Sequence, residues 1–250
     1  MARSKAQQTL VFCLGIILIG CLIQAAGWMK GDRLVFPDVS QILQAFFRLL
    51  GQGETWRKIG VTLRHMVQAM ALSTLAGLAV GLAEGASGFV RALLRPLMIL
   101  LRSIPMIVLV VVIMVLADYS RVPLIASSMV LIPLISEAVC EGCHRIDPEL
   151  LDVYRMNSRL NGTVLLRVYL PLMAGYLKQA YISAVGMGLK LVVSTEYLVQ
   201  TRSSLGKAIY SSTYFNEYQD IYAYALIMIL LVLLVSELPL AIVGRNTDPS

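Results

Sequence analysis

Apolar runs near the length of a membrane span recur along this chain, and that recurrence limits its fold more than any single motif does. About 20 apolar residues in helical form are needed to cross the hydrocarbon core of a bilayer. The runs fall at about 10–28, 59–83, 93–117, 122–139, 168–198 and 221–243. None of them alternates apolar and polar residues as a barrel strand does. With 58% hydrophobic and 14% charged residues in a chain of 250, too little polar surface remains to coat a soluble globule. The expected fold is all-α: a polytopic membrane protein with six transmembrane helices in one domain, 1–250. The 21 Lys and Arg are scattered singly instead of forming a basic face, which argues against a nucleic-acid partner and for loops at a lipid surface.

Arg3 and Lys5 precede the first run. Two readings of 10–28 stand. Leu18-Ile19-Gly20-Cys21 resembles a lipoprotein cleavage box, and Gln24-Ala25-Ala26 is rich in small residues, as a signal peptide would be. The apolar run nevertheless continues past Cys21, and several spans follow, which favours a retained first span. An even number of spans puts both termini on one side, and Arg3 and Lys5 assign that side to the cytoplasm; Lys and Arg counts over the remaining loops nearly balance. Between the first two runs, residues 36–52 place Val39, Ile42, Leu43, Phe46, Phe47 and Leu50 at helical spacing with polar residues between. This segment is too short and polar to span, so it is expected to lie at the interface as an amphipathic helix. In the second run Ala69, Ala71, Ser73, Ala76, Gly77, Ala79 and Gly81 would let helices approach closely. No inverted repeat and no domain large enough to bind a nucleotide is evident, so any energy source lies in a gradient or in another polypeptide.

The connection 141–167 is rich in local signals. Asp147 can cap a helix, Pro148 suits its first position, and Glu149 complements its dipole. A short helix over about 148–156 would carry Leu150, Leu151 and Tyr154 on one side and offer Asp152, Arg155 and Arg159 to another surface. Asn157-Ser158 and Asn161-Gly162 then interrupt it.

The pattern Gly142-x4-Asp147-Pro148-Glu149-Leu150-Leu151, followed by Leu170-Pro171, resembles the cytoplasmic coupling loop of binding-protein-dependent ABC importer permeases. The nearest branch is the one serving sulfonates, taurine, nitrate, bicarbonate and vitamin precursors. Four further matches in the same order extend the resemblance over 36–245: Phe36-Pro37-Asp38-Val39, Leu101-Arg102-Ser103-Ile104-Pro105, Lys190 with Glu196, and Ser204-Leu205-Gly206. One departure stands out. Where the family usually has Glu-Ala-Ala and, after three residues, Gly, this chain has Asp152-Val153-Tyr154 and Ser158. The resemblance implies a permease core over 58–245 in the bacterial inner membrane, with a coupling segment over 147–162. It further implies an ATPase partner using ATP-Mg, a periplasmic or lipid-anchored solute-binding protein and a second permease copy forming a homodimer. No cofactor and no catalysis are expected of this chain. Asp147, Pro148, Glu149, Asp152, Tyr154, Arg155, Ser158 and Arg159 become candidates for ATPase coupling, and Arg102, Pro105, Lys190 and Glu196 for the substrate pathway or gate.

Other features have competing readings. Lys190 sits deep in an apolar run, where an ionisable group is costly, so it either serves a gate or attracts an anion, or pairs with Glu196. Arg64, Arg102 and Glu237 lie near span ends, where snorkelling explains them. Cys140-Glu141-Gly142-Cys143-His144 fits a haem c attachment pattern, but its place at a span end inside the coupling pattern makes coincidence the preferred account; His65 in another span adds no convincing metal set. Tyr197, Tyr210, Tyr214, Tyr218, Tyr222 and Tyr224 suit an interfacial belt better than a docking surface, and Met98, Met106 and Met114 suit core filling. A gradient-driven carrier is the alternative function; it would call for buried acids or discontinuous helices at mid-membrane.

Overall fold

The computed structural model describes residues 37–145 and 170–244, with backbone alone for 236–244. The first run at 10–28 and the coupling segment 147–162, with all eight coupling candidates, lie outside the described residues, as does the Glu237 side chain. The described residues form helices and turns without strands: α1 (Val39–Leu50), α2 (Gly53–Ala86), α3 (Gly88–Ser103), α4 (Met106–Leu116), α5 (Val122–His144), α6 (Ala174–Val199), α7 (Leu205–Tyr214) and α8 (Tyr218–Gly244). A single helical turn at Leu170–Leu172 leads into α6. Helices α2, α5, α6 and α8 are each long and apolar enough to cross a membrane, and α3 with α4 makes a fifth span if the bent pair is taken together.

Within the segment expected at 36–52, Val39–Leu50 forms a short helix. The Asp38 N–H donates to Gln41 Oε1 at 3.0 Å, one half of a capping box, and α1 follows. Its Ile42, Ala45 and Leu49 are buried, and α1 packs on α8, while Val39, Leu43 and Phe47 point outward. That outward apolar face is what an interfacial helix offers to lipid.

Helices α2 and α5 form the central pair, and small residues allow it. Built Cβ atoms would lie 2.8 Å from Ile135 Cβ at Gly77, 2.5 Å from Ser136 O at Gly81 and 2.6 Å from Cys143 Cβ at Gly85. Later residues of one helix therefore meet later residues of the other, so the two run parallel and end on the same side. From there the chain continues into residues 147–162, the segment expected to couple to an ATPase. Helix α6 returns antiparallel: Gly142 of α5 meets Met173 just before α6, and Leu131 meets Gly188. The side where α5 ends is called the coupling end below, and the opposite side, where α7 and the starts of α2 and α8 lie, the far end.

The run at 93–117 is not the one continuous span expected from hydropathy. It breaks at Ile104-Pro105, and α3 and α4 meet at a bend of 104°. The cause is local. Pro105 has no N–H to continue the helix, and the residue before a proline is driven out of the helical region; Ile104 sits at φ −66°, ψ 125°. Helix α4 packs Leu109, Val110 and Ile113 against Val122 and Ala126 of α5, with Met106 and Met114 beside them as filler.

Candidate translocation pathway

Arg102 is the last charged residue before the break, and its guanidinium has protein partners. Its guanidinium donates to the Pro133 carbonyl at 2.8 Å and pairs with the Glu137 carboxylate, fastening the end of α3 to the middle of α5. Pro105 is exposed one turn further on. Between α3 and α5 lies a cavity of about 670 Å3, into which Arg91, Arg95 and Arg102 project from one side and Glu137 and Glu141 from the other. At its edge the buried Glu84 accepts a hydrogen bond from Ser136 Oγ at 3.0 Å. A second, open cavity of about 660 Å3 lies between α5 and α6, edged again by Glu137 and Glu141 and lined on the α6 side by Tyr176, Gln179 and Ser183.

Helix α6 carries an exposed face on which polar residues recur. Tyr176, Gln179, Ser183, Met187, Lys190, Ser194 and Leu198 are all exposed, and steps of three or four residues put them along one side. Four of the seven are polar, and Lys190 is the single charge among them. The opposite side carries Ala180, Ala184, Leu189, Val192, Val193 and Glu196 into the bundle. Lys190 and Glu196 therefore point apart, and the ion-pair reading of the lysine is corrected by geometry: among the described residues Lys190 pairs with no carboxylate.

Glu196 is fully buried. Its carboxylate receives Thr62 Oγ1–H at 2.8 Å, lies 2.7 Å from His65 Nδ1, and accepts the Gly206 N–H at 3.3 Å. The structure thus brings Arg102 and Pro105 together at the break, places Lys190 on the open face of α6, and sets Glu196 apart from all three. Sequence reasoning missed Glu137, Gln179, Ser183 and Ser194, for which the available signal was polarity at helical spacing within an apolar run. It also missed Thr62 and the role of His65, for which no local signal exists.

The Cys140 to His144 run folds as the end of α5. His144 Nδ1–H donates to the Cys140 carbonyl at 2.7 Å. Cys143 Sγ lies 3.4 Å from Met173 Sδ and packs against Gly85. A covalently attached haem needs both thiols on one open face, whereas the second is in a packing seam. Among the described residues no group of three metal-ligating His, Cys, Asp or Glu side chains is assembled. The tyrosine cluster also divides. Tyr197 and Tyr210 stack edge to face at 5.4 Å and join α6 to α7, Tyr214 is exposed, and Tyr224 is buried in the α1–α8 core, contrary to the interfacial reading for that residue.

Comparison with known proteins concerns the chain as a whole. Residues 43–247 match the family described as binding-protein-dependent transport system inner membrane component. No curated protein sequence matches. The chain is similar to one from the inward-facing MetNI methionine ABC transporter, at 17% identity and a TM-score of 0.61, covering 77% of this chain and 94% of that one. It is also similar to one from a bacterial ABC transporter involved in importing the acidic polysaccharide alginate, at 15% identity and a TM-score of 0.69, covering 98% of each. At such identities the likeness concerns fold, and the fold is that of ABC importer permeases. With the family match spanning most of its length, the chain belongs to the inner membrane components of binding-protein-dependent transport systems.

Proposed function

We propose that this chain is the permease of an ATP-driven importer and that two copies enclose a solute path between their α6 faces. The observation that carries the reading is the polar face of α6 with Lys190 at its centre. A charged group in mid-span is retained where it meets water or another chain, because contact with hydrocarbon costs several kcal/mol. A second copy facing this surface across a wet path supplies that environment. The coupling end would then be cytoplasmic, where a separate ATPase subunit using ATP-Mg engages the segment 147–162 through Asp147, Pro148, Glu149, Asp152, Tyr154, Arg155, Ser158 and Arg159. A periplasmic or lipid-anchored binding protein would deliver solute to the far end.

Such a path works by moving between two arrangements with different contacts, each favoured by a different ligand state of the partners. Arg102 and Glu137 are placed to act as a clasp in that movement, since they hold a broken helix against α5. The proposed cargo is a small polar or heteroaromatic solute, such as a sulfonate, a nitrate-like anion or a vitamin precursor; Lys190 and Arg102 favour an anionic group. A broken span also suits a gradient-driven carrier, so the two readings are separated by the partner. Tagged chain recovered from its native membrane should bring an ATPase subunit with it, and Asp152→Arg with Tyr154→Arg should abolish that while the chain stays folded. Wild-type chain recovered without an ATPase would favour the carrier.

A further inference from the structure

Among the described helices, α7 stands apart in how its start is satisfied. A helix leaves its first N–H groups without intrahelical partners. Here three consecutive donors meet oxygens from three different elements: Leu205 N–H donates to Thr62 Oγ1 of α2 at 3.0 Å, Gly206 N–H to Glu196 Oε2 of α6 at 3.3 Å, and Lys207 N–H to its own cap Ser204 Oγ at 3.2 Å. The Thr62 hydroxyl donates in turn to Glu196 Oε2 at 2.8 Å, and His65 Nδ1, one turn along α2, lies 2.7 Å from the second carboxylate oxygen. The approach is so close that a Cβ on Gly206 would lie 2.4 Å from Glu196 Cβ and 2.6 Å from Val193 O. A fully buried carboxylate within a span is expensive unless such donors surround it, and a helix N-terminus is where negative charge is favoured.

We propose that Glu196, together with Thr62 and His65, is a positioning latch that fixes α7 to α2 and α6, so that displacement of α7 at the far end is transmitted to the open polar face of α6. Glu196 occupies the side of α6 opposite Lys190 and Ser194, so it transmits position without meeting solute. The functional part of the inference rests on the importer reading; the latch itself does not.

Hydrogen exchange on the purified full chain tests the latch directly. Glu196→Ala should speed exchange across 205–214 about tenfold, the factor expected for losing a buried charge-assisted hydrogen bond, with α5 unchanged. Glu196→Gln keeps an acceptor for Gly206 and should stay near wild type. Thr62→Val, which removes the Leu205 link and the Thr62–Glu196 bond but leaves the Gly206 link to Glu196, gives the same test if the alanine variant does not fold. An α7 still protected in both variants, equal loosening of α5, or a glutamine variant as loose as alanine overturns the latch. In membranes reconstituted with the ATPase and binding protein, the ratio of stimulated to basal ATP hydrolysis should fall in Glu196→Ala and recover in Glu196→Gln. Faster exchange with an unchanged ratio overturns the positioning role. A wild type that binds no ATPase would instead overturn the importer reading and leave the exchange result standing.

Discussion

Single residues determine whether the α6 face is a path or merely a surface. Among the described residues Lys190 pairs with no carboxylate, and it is exposed, so replacing it should leave the fold nearly untouched. Lys190→Met is expected to change stability by less than about 0.5 kcal/mol. Uptake of an anionic solute should nonetheless fall about tenfold, equivalent to losing roughly 1.4 kcal/mol of ion attraction, well within what a partly desolvated charge supplies. Uptake of a neutral solute should change little, so parallel assays would also identify the class of cargo. Gly206 makes the opposite case. Two of the three atoms nearest a built Cβ there are backbone, the Tyr197 nitrogen at 2.5 Å and the Val193 oxygen at 2.6 Å, and backbone cannot step aside. Gly206→Ala is expected to cost about 1–3 kcal/mol through overpacking, read as a lower melting temperature of the detergent-solubilised chain. The cost of burying an ion marked Lys190 as notable in the sequence, and the family resemblance marked Glu196. The direction in which each points was not legible, because lipid and protein neighbours are equally apolar and leave no period in the pattern. Thr62 and His65 were beyond reach for a different reason, since their partners, Glu196 for both and the start of α7 for Thr62, lie more than a hundred residues away.

At the scale of elements, the broken span is the main difference between expectation and structure. Apolar residues continue without interruption from Ile104 through Leu116, so hydropathy alone merges α3 with α4, and Pro105 was the one local sign of the break. Restoring a donor at that position tests the cause. In Pro105→Ala, spin labels at Leu93 and Val115, both strongly exposed, should move apart toward the roughly 33 Å of an unbroken helix over that interval. An unchanged distance would mean that the Arg102 clasp holds the bend without the proline. Helix α1 was legible because its apolar residues recur at helical spacing among polar ones. Helix α7 was hidden by its tyrosines, which read equally well as a membrane-surface connection.

The described part of the whole molecule is a bundle whose buried pair is α2 with α5 and whose α6 turns polar groups away from its own core. The class of fold was legible from span lengths, and the family resemblance from motifs in order along the chain; the family match over 43–247 bears out that much. The exposed face of α6 was only partly legible: polar residues at helical spacing hinted at it, but which side turns away from the bundle is visible only once α6 is seen against α5. The central claim is that this face lines water between two copies. Its most direct test is labelling in native membranes with a membrane-impermeant maleimide, using single cysteines in a cysteine-free chain. Gln179→Cys, Ser183→Cys and Ser194→Cys lie on the α6 face, and Leu75→Cys on the outward side of α2 serves as the lipid-facing control. The account predicts that the three α6 positions react and that Leu75→Cys does not. Three α6 positions as protected as Leu75→Cys would place that face in lipid and contradict it.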